Sequence, residues 1–309
     1  MSFKFNRREF LLALGTAVLV GACQSNSTTN NQQNLSESPR IVALEWGFVE
    51  SLLALDIQPV GVADIKGYKE YVNIPLKLAE TVEDVGTRQE PNLETIAQLQ
   101  PDLILGVTFR HKSILSTLES IASTELFSPY SKNVSPLAYF KESFLEIAKL
   151  TNNQAQGQKK LQALETTIKE TKQQLTEQGA TQSTQRPIVL AAFVPHSSPL
   201  RVFTSDSFPI QLLNEIGLKN AWDGKFSQFG FNRVGLENLT KLGDVNFIYV
   251  PPDENPQIEK EITSNPLWKK LSFVKKNQVY RLNGDTWLHG GVISADMLVK
   301  QVRDRLISN

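Results

Sequence analysis

Short apolar runs alternate with amphipathic stretches along most of this 309-residue chain, and one long segment breaks the rhythm. Asn153 to Gln178 reads NQAQGQKKLQALETTIKETKQQLTEQ, with no proline and a single glycine, Gly157, near its start. Its sparse apolar positions include Ala155, Leu161, Leu164, Ile168 and Leu175, and the spacing sets the last four on one narrow stripe. As a helix rising ~1.5 Å per residue it would be a rod of roughly 39 Å. So polar a helix either bridges two bodies through solvent or buries one thin seam.

On either side of this rod lies an α/β pattern. In the first half, Arg40–Leu44, Pro59–Ala63 and Pro101–Gly106 are short β-prone runs, and Val49–Leu55, Leu93–Gln100 and Ser113–Ile121 are helical in pattern. Asn92 is placed to cap the second of these helices, with Glu94 in its first turn. In the second half, Ile188–Phe193, Val202–Phe203 and Phe247–Val250 read as strands. Strands alternating with helices predict parallel sheets. A weak internal repeat matches Ile41–Leu53 to Val202–Leu213, as if the halves were copies of one unit. The predicted architecture is two α/β lobes with parallel sheets joined by a single long helix: an N-terminal lobe at 39–152, the linking helix at 153–178 and a C-terminal lobe at 179–309.

The first 38 residues stand apart. A basic segment with Arg7-Arg8 precedes the apolar run Leu11–Val20, which is too short to span a bilayer and ends in Gly21-Ala22-Cys23. This reads as a signal peptide over 1–22. In its sharper form it is a bacterial lipoprotein signal, with Cys23 as the lipidated first residue of the mature chain. A plain cleaved signal with a coincidental cysteine is the competing reading. The arginine pair leaves twin-arginine and ordinary export both open. Residues 23–38 are a Ser/Asn/Gln/Thr-rich tether.

Composition narrows the function. At 40% apolar the chain can bury two cores. Lysine plus arginine equals aspartate plus glutamate at 32 each, so no overall field recruits nucleic acid, and anion binding requires a local cluster of cations. One cysteine excludes an intramolecular disulfide and a cysteine-rich metal site. Ligands of α/β sheets sit outside the carboxyl ends of the strands. That places Trp46, Asp64, Arg88 and Phe109-Arg110-His111 on one rim, and His196, Phe229, Arg233 and Trp287-Leu288-His289 on the other. The three histidines lack helical i, i+4 spacing and a nearby cysteine, which argues against a zinc site. No Gly-x-Ser-x-Gly, His-Glu-x-x-His or phosphate loop is present, so a hydrolase has no motif to stand on.

Several stretches together resemble the substrate-binding proteins of ABC importers for ferric siderophores, close to the ferric-hydroxamate and ferric-citrate branch. They are RIVALEWGFVESLLAL (40–55), PVGVAD (59–64), DVGTRQEPNLE (84–94), PDLILG (101–106), NAWDG (220–224), PLWKKLSFV (266–274) and Trp287. The resemblance covers essentially all of 39–309. It implies a non-enzymatic, monomeric receptor at the outer face of the membrane or in the periplasm. Such a receptor has no intrinsic cofactor; its cargo is a ferric siderophore, delivered to a membrane permease. Haem or cobalamin would be alternative cargo on the same fold, with a histidine or Tyr68 as candidate haem contacts.

The resemblance also assigns residues. Arg88 matches a ligand-contacting arginine. Arg110 stands where some hydroxamate binders carry an aromatic residue and several citrate-type binders an arginine, which tilts the cargo toward a citrate-based, carboxylate-bearing siderophore. Arginine's planar fork suits such oxygens. Arg233 would add a third cation, and Trp287 and Phe229 match aromatic positions, Phe229 replacing a tryptophan. Trp46 is read as a ligand platform with a lobe-edge core role as its rival, and His196 as a ligand contact. Docking to the permease in the family uses one acidic residue per lobe. Glu237 fits in the second lobe; the counterpart is missing near Ser113 and only Glu119 is nearby. A helical spine predicts limited closure of the lobes on binding.

Overall fold

Ile41 and Ala43 face one way from the first sheet, Val42 and Leu44 the other, and all four are fully buried. A period of two with apolar residues on both faces is what a parallel sheet covered by helices on both sides requires. The computed structural model describes residues 39–129, 134–177, 185–194, 200–252, 255–284 and 286–308. The expected signal peptide, Cys23, the tether and His196 lie outside the described residues.

The first lobe runs β1 (Ile41–Ala43), α1 (Trp46–Ala54), β2 (Gly61–Val62), α2 (Ile65–Tyr71), β3 (Glu83–Asp84), α3 (Leu93–Gln98), β4 (Leu103–Val107), α4 (Thr108–His111), a 3-10 turn (Lys112–Ile114), α5 (Leu115–Ile121) and β5 (Ser123–Phe127). Its five strands lie in the order β3-β2-β1-β4-β5, all parallel. The Asn92 side chain caps α3 as expected, accepting from the N–H groups of Glu94 and Thr95 at 3.1 Å each. The loop expected over Val107–Lys112 is instead the short helix α4.

Next come α6 (Pro136–Leu150) and the rod itself, α7 (Gln154–Glu177). The second lobe follows: β6 (Ile188–Phe193), β7 (Leu200–Phe203), α8 (Phe208–Glu215), β8 (Phe231–Val234), a 3-10 helix (Leu236–Lys241), β9 (Asn246–Val250), α9 (Pro256–Ser264), α10 (Pro266–Lys270), α11 (Ser272–Lys275), β10 (Val279–Arg281) and α12 (Val292–Ile307). Its sheet has the order β10-β9-β6-β7-β8 and is mixed rather than parallel: β7 runs antiparallel to both β6 and β8. The reason is local. Only residues 194–199 separate β6 from β7, fewer than the dozen or so that a parallel crossover needs. The internal repeat, which matches β1 to β7, fails with it: β1 has parallel neighbours on both sides and β7 antiparallel ones.

The spine buries Gly157, Leu161, Leu164, Ile168, Thr171 and Leu175, a seam with alternating spacings of four and three. This seam packs on α6 and α12. Gly157 is required by the crossing: a Cβ there would lie 2.6 Å from Ala148 Cβ of α6. The two lobes share a central core in addition to an outer core of their own. Ile41 and Ala43 of β1, Ile188 and Leu190 of β6 and the seams of α1, α6, α7, α8 and α12 form a single cluster, so the helices are a filling shared by both sheets. Val189, Ala191 and Phe193 alternate to a second, outer core.

Candidate functional site

The carboxyl ends of β1, β2, β3 and β4 bring Glu45, Asp64, Arg88 and Arg110 together. Glu45 is the N-cap residue of α1, yet its side chain caps nothing there. Its carboxylate instead takes Arg110 on one oxygen and Arg88 Nη1, at 3.6 Å, on the other. Asp64 Oδ2 lies 3.8 Å from Arg88 Nε. Asp64 itself is held in a left-handed conformation, φ 59°, and caps α2 by accepting from Gly67 N–H at 3.1 Å. Burial raises the pKa of Glu45, the two arginine cations opposing it only in part, and burial also lowers that of Arg88. Both partners thus lack water that the pairing does not fully replace.

Trp46 supports Arg88 from below. The guanidinium carbon stands 3.5 Å over the indole centroid, and the indole N–H points to the carbonyls of Ala63 and Asp64, each at 3.2 Å. Trp46 is only 4% exposed, so it is a covered platform for the arginine rather than an open surface.

His111 is also inside. Its Nδ1 accepts from Val107 N–H at 3.0 Å, which leaves Nε2–H to donate to the Arg88 carbonyl at 2.9 Å. Burial, and more weakly Arg110, hold its pKa below the usual imidazole range. His111 therefore fixes the loop that carries Arg88, and with both ring nitrogens engaged it is not a rim residue. Tyr68, the other haem candidate on this side, is 3% exposed.

From Trp46 a floor of rings crosses into the second lobe. Tyr71 stacks on Trp46 at 5.9 Å; Trp287 meets Trp46 at 5.5 Å; His289 meets Trp287 at 4.9 Å; Phe203 and Phe231 meet His289 at 5.9 and 6.3 Å; Phe229 stacks on Phe231 at 6.4 Å. Tyr71 and Phe229 are 53% and 47% exposed, so the floor is open at both ends. The Trp287 indole nitrogen is buried with no hydrogen-bond partner. His289 is open to the cleft while protein crowds its flanks; that crowding, with the Arg201 and Arg88 cations, lowers its pKa, an effect weakened by its solvent contact.

Of the residues expected to converge, Arg88, Arg110, Trp46 and Trp287 do so directly, and Phe229 and Arg233 belong to the second-lobe wall. Arg233 is exposed, on β8 directly opposite Arg201 on β7. Glu237 lies elsewhere, exposed on the 3-10 helix Leu236–Lys241, and Glu119 is exposed on α5. Sequence reasoning missed Glu45 and Arg201. Glu45 stands beside the Trp46 that was singled out. Arg201 occupies the amino end of its strand, where a parallel-sheet rule does not look.

Two facing lobes on a helical spine, with arginines ranged along an aromatic floor between them, have the architecture of a ligand-binding protein. The matching family model is that of periplasmic binding proteins, over residues 41–286, and the chain belongs to this family. The chain is 31% identical to the iron(3+)-hydroxamate-binding protein FhuD of Escherichia coli (strain K12), over 96% of this chain and 94% of the relative. It is 32% identical to the Fe(3+)-citrate-binding protein YfmC of Bacillus subtilis (strain 168), over 92% of each. The solved structure of the siderophore-binding protein FhuD from Vibrio cholerae, bound to Fe3+–Desferal, superposes with a TM-score of 0.79 at 28% identity, covering 88% of this chain and 98% of that one. The family and these relatives are substrate-binding proteins, not enzymes.

Proposed function

We propose that this protein captures a ferric siderophore outside the cell membrane and delivers it to an ABC importer. The cargo class is a citrate-based siderophore of carboxylate or hydroxamate type. The observation that carries this reading is the Arg88–Arg110 pair, held by one partly buried glutamate, Glu45, at the edge of an aromatic floor. Each guanidinium can present a fork to chelate oxygens, while the rings accept the flat apolar parts of the chelate. The iron arrives already wrapped in ligand oxygens, so the protein supplies none of its coordination. Relatives that bind iron(3+)-hydroxamate and Fe(3+)-citrate support the cargo class.

The mature chain starts at Cys23, whose lipid anchors a tether of residues 23–38. The receptor works as a monomer and docks on the permease through Glu237 of the second lobe and one acidic residue of the first, Glu119 being the candidate at hand. A Cys23→Ser variant then leaves the membrane fraction, and Glu237→Lys lowers uptake while ligand affinity stays intact.

The direct test is a tryptophan-quenching titration of the mature protein with a ferric citrate hydroxamate, ferric citrate and a neutral ferric trihydroxamate, beside Arg88→Ala/Arg110→Ala. Tight binding of the citrate types, lost in the double variant, supports the reading. Preference for the neutral chelate overturns the charge argument. Quenching by none of them, together with a Soret band or corrinoid spectrum in purified protein, replaces the siderophore with haem or cobalamin.

A further inference from the structure

In the first lobe Arg88 and Arg110 have carboxylate partners in Glu45 and Asp64, although Arg88 Nε, like Arg201 Nε, is buried without a hydrogen bond. The second-lobe wall is different. Arg201 on β7 and Arg233 on β8 are directly opposite in an antiparallel pair, with Phe203 opposite Phe231 two residues on and on the same face. Like charges placed so oppose each other, and neither arginine makes an ion pair among the described residues. Arg201 is half-buried, its Nε is shut from solvent without a hydrogen-bond partner, and its guanidinium lies 5.1 Å over Phe231. Burial, and then the neighbouring Arg233 cation, disfavour its charge. A half-buried cation with a second cation beside it and no counter-ion among the described residues is unfavourable by itself, and an anion arriving in the cleft would relieve it.

The geometry points to Arg201, with Arg233 beside it, as the residue that reads a free carboxylate on the cargo. The first-lobe arginines bind the chelate itself, and Arg201 discriminates between chelates of the same shape by their net charge. This rests on the siderophore reading above. Arg201 has the placement for it: it lies over Phe231, Phe231 meets His289, His289 meets Trp287, and Trp287 meets the Trp46 that carries Arg88, so the floor of rings runs from one arginine wall to the other.

The test uses three ferric trihydroxamates with one iron-binding core and a pendant group that is an ammonium, its neutral N-acetyl derivative or its anionic N-succinyl derivative. Affinities are measured by fluorescence quenching for the wild type, Arg201→Gln and Arg201→Lys. The readout is the ratio of succinyl to acetyl affinity, which partial unfolding does not alter. Loss of one charge-assisted contact predicts that this ratio falls about tenfold to a hundredfold in Arg201→Gln, with the acetyl arm within about twofold. Arg201→Lys, which keeps charge without the fork, falls between. A ratio unchanged in both variants, or equal losses in every arm, overturns the inference while leaving the siderophore reading intact. Binding of no chelate by the wild type overturns both.

Discussion

The carboxylate of Glu50, on α1 of the first lobe, holds the amino end of α12 in the second lobe by three hydrogen bonds that converge on Ser294 and its neighbour. Oε1 accepts from the N–H groups of Ile293 at 2.8 Å and Ser294 at 2.7 Å, and Oε2 accepts from the Ser294 hydroxyl at 2.7 Å. Glu50 is 0% exposed. Gly291, at φ 110°, leaves it room, since a Cβ there would fall 2.0 Å from Oε2. Together with the shared helical layer, this contact ties the lobes at the root of the cleft.

The latch and the layer predict a stiff receptor. Small-angle scattering with and without bound chelate should show a nearly constant radius of gyration, and Gly291→Ala should destabilise the fold by displacing Glu50. A large contraction on binding would mean that α7 acts as a hinge.

Glu50 also sets a pH dependence. Burial raises its pKa to about 7, against the three hydrogen bonds that favour the anion. The folded protein therefore holds this proton more tightly than the unfolded chain does, and the stability tied to this group is greatest below about pH 4.5 and declines as pH rises toward 7. The whole change is up to about 3 kcal/mol. In Glu50→Gln this slope disappears, so the variant gains on the wild type between pH 5 and 8 in denaturant melts. Parallel curves would show that Glu50 does not titrate in this range.

His111 predicts the opposite slope. Its pKa is lowered by burial, so the unfolded chain takes up the proton first and stability falls as pH drops below about 6.5. His111→Ala strands the Val107 N–H and frees the Arg88 carbonyl, costing about 2–4 kcal/mol and weakening ligand binding through the displaced arginine. Denaturant titration and quenching on the same variant check both. Full affinity in the variant would show that the Arg88 loop holds itself.

Glu45→Gln removes the shared counter-ion of Arg88 and Arg110. The ligand-free protein should melt lower, because two partly buried cations lose their partner. An anionic chelate should then raise the melting temperature more than it does in the wild type. An unchanged ligand-free melt would mean that solvent already screens the pair.

At the α6–α7 crossing, Gly157→Ala should destabilise by roughly 1–3 kcal/mol despite alanine's higher helix propensity, because its methyl meets Ala148. Ala148→Gly in the same chain should restore much of the loss, and a double-mutant cycle reads the coupling.

Much of this was visible along the chain, because it depends on neighbours in sequence. The spacing of Leu161, Leu164, Ile168 and Leu175 determines a thin-seamed helix, and the Asn92 cap and the alternation in Ile41–Leu44 determine their elements, since period and capping are local properties. Arg88 and Arg110 follow from strand ends and from the family's motifs. What the tertiary structure decided is which way each group faces and what it meets. The direction of β7 places Arg201 on the cleft wall beside Arg233. Glu45 reaches an arginine 65 positions away, and Glu50 a helix end 243 and 244 positions away. Trp46 and His111 become supports because other chain segments cover them. No local pattern encodes such encounters: they exist only once the two sheets close on their shared layer of helices and exclude water from the groups between them.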